Sequence, residues 1–172
     1  MKKIKLFFVG LVFVFGLNHS NAQLSIGADL SGIRSMTDGA EFMFGGMINA
    51  RYGITDNIQL GLNLGFYQKS LGEIFGQSLK SRIIPITLSG EYFLLTDNAR
   101  PYVGLDLGLY TFGAKFGSSS SSESRFGLAP VAGFQYGIND NLYLNTNIKY
   151  HVILDSNTDG LFSFNIGIGY RL

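Results

Sequence analysis

The chain has no cysteine and no tryptophan, and only 15% of its 172 residues are charged. An ordinary soluble domain carries about 25% charged residues, and that charge is what coats its surface. Too little is present here to cover a water-soluble globule. Without cysteine there is no Cys-anchored lipid attachment. Long apolar runs are also missing: none reaches the roughly 18 residues that a transmembrane helix needs. Histidine is limited to His19 and His151, so counting alone argues against metal clusters and His-rich catalysis, and neither metal nor cofactor is expected. Thirteen basic residues stand against twelve acidic ones, a balance that gives no electrostatic reason to bind nucleic acid.

What is present begins with a three-part leader. Lys2, Lys3 and Lys5 precede an apolar stretch, Leu6 to Leu17, and a polar stretch that places Ser20 and Ala22 before a cleavage point. This is the pattern of a secretory signal, and the apolar stretch is too short to anchor in a bilayer. Cleavage is expected after Ala22, giving residues 1–22 as signal peptide and 23–172 as one domain. The mature chain then has ten basic and twelve acidic residues, and its net charge is −2.

That domain alternates with period two. In the last segment Phe162, Phe164, Ile166, Ile168, Tyr170 and Leu172 alternate with Ser163, Asn165, Gly167, Gly169 and Arg171, which predicts a strand with one apolar and one polar face. Seven more segments follow the rule: Leu24 to Ile33, Glu41 to Ile54, Ile58 to Tyr67, about Arg82 to Leu95, from Tyr102 onward, Phe126 to Ile138, and Leu142 to Leu154. Most reach the roughly 9 to 11 residues that cross a bilayer at a tilt. Three connections are short and polar: Thr55-Asp56-Asn57, Thr96-Asp97-Asn98 and Asn139-Asp140-Asn141. Four are longer: Ser35 to Ala40, Gln68 to Ser81, Lys115 to Ser124 and Asp155 to Gly160. The run Ser118 to Ser122 reads as flexible linker. Seven connections imply eight strands, and short turns at one end with longer loops at the other are characteristic of membrane barrels. The fold class predicted is therefore all-β: an eight-stranded antiparallel transmembrane β-barrel of up-and-down topology. Pro85 and Pro130 remove ladder donors, and bulges near the outer rim are expected there.

A soluble barrel would show the same period, so the decision rests on the faces. One face is Leu, Ile, Val, Phe and Tyr, which suits lipid. The other is mostly Gly, Asn, Ser, Thr and Gln, which suits the crowded interior of a narrow barrel. Tyr52, Tyr92, Tyr136 and Tyr170 lie on the apolar face near the short turns and are expected to form an aromatic girdle at one interface. Phe42, Phe66, Phe126 and Phe162 lie near the other end. In lipid an open sheet edge would leave unpaired backbone groups, so the last strand must pair with the first.

The alternating final strand, the Asn21-Ala22-Gln23 start and the Tyr-x-x-Thr/Asn-Asp-Asn turns resemble the outer-membrane β-barrel domain proteins common in Bacteroidetes, and are similar to the OmpX-like and OmpA transmembrane barrels. The resemblance covers essentially the whole mature chain. It implies export to the cell outer membrane, contact with its lipid and lipopolysaccharide, and reading of the final strand by the barrel-assembly machinery, with Tyr170 and Leu172 carrying that signal.

Asp29, Arg51, Glu91, Asp106, Lys149 and Arg171 fall on the inward face, where an ionised group must find a partner. They are expected to form a lumen polar network, either an ion-pair plug or a selective path. An eight-stranded barrel is just wide enough for its own side chains, which favours the plug. His151 and Ser163 are also inward and close to one another across a hairpin, but His151-Val152-Ile153-Leu154-Asp155-Ser156 does not match the His/Ser motif of lipid A deacylase barrels. No enzyme and no catalytic residue is predicted. The function expected is a monomeric membrane barrel with a structural or surface-interaction role. The alternative is a narrow passive channel for ions or small solutes, and behind it stand a soluble ligand-binding barrel and a lipid-modifying enzyme.

Overall fold

The computed structural model describes residues 24–74, 77–116, 119–154 and 160–172; the leader expected at 1–22 lies outside them. Eight strands follow one another: β1 (Leu24–Ser35), β2 (Met43–Gly53), β3 (Ile58–Ile74), β4 (Gln77–Phe93), β5 (Ala99–Phe116), β6 (Ser119–Gly137), β7 (Leu142–Ile153) and β8 (Leu161–Arg171). Each pairs antiparallel with the next, and β8 returns to β1, closing the barrel. The seam runs from Ser25 opposite Arg171 to Ser35 opposite Leu161. Beyond it the amide of Leu172 donates to the Leu24 carbonyl at 2.8 Å. Closure gives the backbone groups of the first and last strands partners that lipid would not supply.

The short turns are held by their own side chains. Thr55 Oγ1 accepts from the amides of Asn57 and Ile58, at 3.3 and 3.1 Å. Asn139 Oδ1 accepts from Asn141 and Leu142, at 3.0 and 2.7 Å. These are the local side-chain-to-backbone bonds that favour Thr and Asn in turns. In these two turns the third residue ties the turn to the strand next door: Asn57 Nδ2 donates to the Phe93 carbonyl and Asn141 Nδ2 to the Arg171 carbonyl. The Thr55-Asp56-Asn57 and Asn139-Asp140-Asn141 turns thus share one construction.

At the opposite end the structure departs from the sequence reading. The segments read as loops, Gln68 to Ser81 and Lys115 to Ser124, are largely paired strand. Gln68 stands opposite Arg82, and Ser119 to Ser122 stand opposite Phe116 to Gly113. Above the lipid band both faces of a hairpin meet water, so apolar alternation fades while the ladder continues. Ser119 to Ser122 are therefore strand and not flexible linker, while Ser118 lies outside the described residues.

The prolines also differ from expectation. At Pro85 the pairing to β5 is continuous, and the pairing to β3 lapses at Gly65 and Phe66 and resumes in the same register. Pro130 behaves likewise, paired to β5 while the ladder to β7 lapses and resumes in register. Each proline omits a donor without adding a residue, so neither makes a bulge. The register shift in this part of the wall lies between Ser70 and Gly72 instead.

The two faces separate cleanly. Leu30, Ile48, Leu88 and Ile166 are exposed on the outside, and Leu88 keeps 65% of its surface open. A continuous belt of this kind is intolerable in water and ordinary against hydrocarbon. Tyr92, Tyr136 and Tyr170 are exposed on the same face near the short turns, and Tyr52 is half-exposed there. Inside, the polar residues share space with large ones: Tyr67, Tyr102, Tyr110, Tyr143 and Phe93 are fully buried. Inward glycines make their room. A Cβ on Gly127 would sit 2.9 Å from the Tyr110 ring, and side chains on Gly133 and Gly169 would collide with Tyr102 and Tyr143, which stand directly opposite them.

Candidate functional site

The inward positions of adjacent strands bring five of the six expected charges into the barrel's interior. Asp29, Arg51, Glu91, Asp106 and Lys149 are all at least 94% buried. Arg51 Nε lies 3.2 Å from both carboxylate oxygens of Glu91, a charge-assisted fork joining β2 to β4. Arg51 Nη1 donates to Asn49 Oδ1. Asn49 Nδ2 in turn donates to Asp29 Oδ2 at 2.8 Å. Asn145 Nδ2 reaches the other oxygen of Asp29 at 3.4 Å, and Tyr102 hydroxyl donates to Asn145 Oδ1 at 3.0 Å. The chain of bonds therefore crosses from β4 through β2, β1 and β7 to β5. Amides, and not a cation, hold Asp29 directly.

A second cluster lies beside the first. Lys149 Nζ donates to Asp106 Oδ2 at 2.7 Å. Asn63 Nδ2 and Thr87 Oγ1 approach the same oxygen at 3.3 and 3.4 Å. Buried charges of this kind are tolerated when paired and hydrogen-bonded.

Arg171 does not join this network. It is the last residue of β8, half-buried at the short-turn end. Its guanidinium covers the Tyr143 ring at 4.9 Å, and Nη1 donates to the Asp140 carbonyl at 3.3 Å. Arg100 repeats the arrangement on β5, over Phe93 at 4.2 Å and bonded to the Asp56 carbonyl at 2.7 Å. Both arginines lid the lumen at the short-turn rim. Strand parity places Arg171 inward, and there its guanidinium covers Tyr143 at the rim and bonds to the Asp140 carbonyl, with no hydrogen bond to the buried charges.

Toward the long hairpins the interior turns apolar. Ile33, Met47, Tyr67, Ile83, Tyr110, Ile153 and Leu161 form one buried cluster, with Met43 and Phe112 packed against it. Within this end His151 lies between two hydroxyls: Nδ1 is 2.8 Å from the Tyr110 oxygen and Nε2 is 2.8 Å from Ser163 Oγ. The pair anticipated from the sequence is in contact, yet Ser163 has no exposed surface. A substrate has no approach to it, and the arrangement satisfies three buried polar groups. Among the described residues, no group of three or more His, Asp or Glu is placed to hold a metal.

Several members of the interior network were not singled out from the sequence: Asn49, Asn145, Tyr102 and Tyr110. The signal was available, since Tyr102 and Tyr110 share strand parity with Asp106, and Asn145 shares it with Lys149.

A closed eight-stranded barrel with a lipid-facing belt and an ion-paired interior narrows the comparison to one class. The sequence matches the outer membrane protein beta-barrel domain family over residues 7–171. The chain belongs to that family. As a member of it, this outer-membrane barrel has a relative of uncharacterised function in Haemophilus influenzae, 27% identical over 170 residues and covering 90% of this chain and 93% of the relative. Its fold is similar to that of Neisserial surface protein A, with TM-score 0.72 and 22% identity over 89% of this chain and 99% of that one. It is also similar to Ail of Yersinia pestis, solved with the heparin analogue sucrose octasulfate, with TM-score 0.63 and 20% identity over 88% and 97% of the two chains. The N-terminal barrel of Pseudomonas aeruginosa OprF gives TM-score 0.60 and 21% identity over 88% and 100%. These likenesses are of fold.

Proposed function

We propose that this is a non-enzymatic outer-membrane barrel whose lumen is plugged and whose exposed face carries its interactions. In this reading residues 1–22 direct export and are removed, and Tyr170 and Leu172 present the final strand to the barrel-assembly machinery. The monomer then rests in outer-membrane lipid and lipopolysaccharide. The Asn21-Ala22-Gln23 sequence around the cleavage point supports a barrel of the Bacteroidetes type.

One observation carries the plug. The interior is crossed by a bonded chain, Glu91–Arg51–Asn49–Asp29–Asn145–Tyr102, and beyond it lies the apolar cluster around Tyr67 and Ile83. An ion would have to break buried charge pairs and then cross an apolar layer, each of which is costly in a low-dielectric interior. Planar-bilayer recording tests this. The expected result is no steady conductance from the purified barrel, and none from Glu91→Gln. Steady ion-selective current from the native barrel would replace the plug with the narrow-channel reading.

A further inference from the structure

The cations at the long-hairpin end fall into two sets. Lys69 is paired with Glu41 and Arg125 with Glu123, and Arg34 lies over the Phe42 ring at 5.6 Å. Lys80, Arg82 and Lys115 are exposed and have no hydrogen-bond, ion-pair or ring partner among the described residues. All three share the outward face, because inward positions on β4 are odd and on β5 even, as buried Ile83, Tyr110 and Asp106 show.

Their placement is unusual on two counts. Lys80 stands directly opposite Lys115, and like charges facing each other across a ladder are destabilising. Arg82, two residues along, stands opposite Gly113, and its stem lies across the glycine: a Cβ there would meet Arg82 Cγ at 3.0 Å. The arginine thus leans over β5, two positions from Lys115 on the same outward face, and the three cations share one patch of the wall.

Depth identifies what the patch faces. From Tyr92 in the girdle, Arg82 lies ten positions along β4. At about 3.3 Å per residue and a tilt of about 40°, that is about 25 Å of height, the thickness of the apolar band of such barrels. Outward Ile86, Leu107 and Leu109 lie on the girdle side of the patch and are exposed to lipid. Arg82 is therefore at the upper boundary of the hydrocarbon, and Lys80 and Lys115 stand about 5 Å above it, where lipid headgroups sit.

We propose that Lys80, Arg82 and Lys115 form a binding site for the phosphate groups of an outer-leaflet lipid, the phosphorylated headgroup of lipopolysaccharide. A phosphate seated between Lys80 and Lys115 converts their mutual repulsion into two attractions. Arg82 offers the planar donor fork that matches phosphate oxygens. The acyl chains then lie along the outward leucines and isoleucines below. This rests on the outer-membrane reading and names the residues through which the barrel engages its lipid.

The test is native mass spectrometry of the barrel extracted folded from outer membranes, its folded state checked by heat-shifted gel migration. The probes are bisphosphorylated lipid A, dephosphorylated lipid A and sucrose octasulfate. Lys80→Gln/Arg82→Gln/Lys115→Gln is compared with Lys69→Gln/Arg125→Gln, which removes cations at the same end but on the inward-facing positions. Bisphosphorylated lipid A should bind the native barrel and the control alike, and the triple variant at least about tenfold more weakly, as loss of three cations beside an anionic surface requires. Dephosphorylated lipid A should bind the native barrel no better than the triple variant binds the phosphorylated form. If the triple variant does not fold, each single Gln variant should lose about three- to fivefold. Retained affinity within twofold in the variants overturns the site, as does indifference to the phosphates. Binding of sucrose octasulfate through these residues with no lipid A binding also overturns it, and assigns the patch to a soluble polyanion. A conducting barrel would defeat the plug and leave this result untouched, since the patch lies outside the wall.

Discussion

Lys149 of β7 and Asp106 of β5 meet across the lumen, Nζ to Oδ2 at 2.7 Å, although their strands are not neighbours in the sheet. The contact bypasses β6 and braces the wall from within. Asp106→Asn strands the lysine charge in the interior and should cost about 3–5 kcal/mol of stability. Asp106→Asn/Lys149→Gln removes both charges and should recover most of that loss. Urea midpoints in lipid vesicles, read as a double-mutant cycle with Lys149→Gln as the second single variant, measure it; a double-variant loss equal to the sum of the two single losses would show that the pair is not coupled.

Interior glycines should be intolerant in proportion to what lies over them. Gly133→Ala drives a methyl group into the Tyr102 ring and should cost about 1–3 kcal/mol. Gly90, on the outward face, has only Leu60 Cδ2 nearby, at 4.0 Å, and Gly90→Ala should stay within about 0.5 kcal/mol of the native barrel. The same unfolding measurement compares them.

A charge walked along the outer belt should report membrane depth. Leu88, near mid-belt and 65% exposed, should lose about 2–4 kcal/mol as Leu88→Lys in a bilayer. Ile58, opposite Tyr92 in the girdle, should lose about 1 kcal/mol or less as Ile58→Lys. A flat profile would remove the depth assignment on which the lipid-phosphate site depends.

His151→Ala leaves the Tyr110 and Ser163 hydroxyls buried without their shared partner and should cost about 1–3 kcal/mol for each orphaned group. Tyr110→Phe/His151→Leu/Ser163→Ala removes all three polar ends and should be more stable than the single variant. A fluorophosphonate probe should leave Ser163 unlabelled; labelling lost in His151→Ala would mean that the pair is catalytic.

Period two carried strand count, topology and sidedness because the two faces of each strand meet different solvents. Where that contrast ends, the pattern ends with it: the hairpins beyond Gln68 and Lys115 have water on both sides, and their pairing left no alternation to read. Parity placed Asp29, Arg51, Glu91, Asp106 and Lys149 inside, but partnership is another matter. That Arg51 meets Glu91, and Lys149 meets Asp106, depends on how strands stagger around a closed wall, and no local pattern encodes stagger. Arg171 keeps its inward parity but makes its contacts at the rim, over Tyr143 and to the Asp140 carbonyl, and a proline can omit one bond without shifting register.

The seam between β1 and β8 has a kinetic consequence. Ser25 pairs with Arg171, so the earliest strand waits for the last one before its outer edge is covered. The seam contacts have the longest sequence separation in the barrel, and contacts of that kind are slow to form. Until Arg171 arrives, the chain is an open sheet with a bare edge, the form most exposed to aggregation. That edge is open to any neighbouring chain until Arg171 pairs with Ser25, and the closing of this one seam ends the hazard.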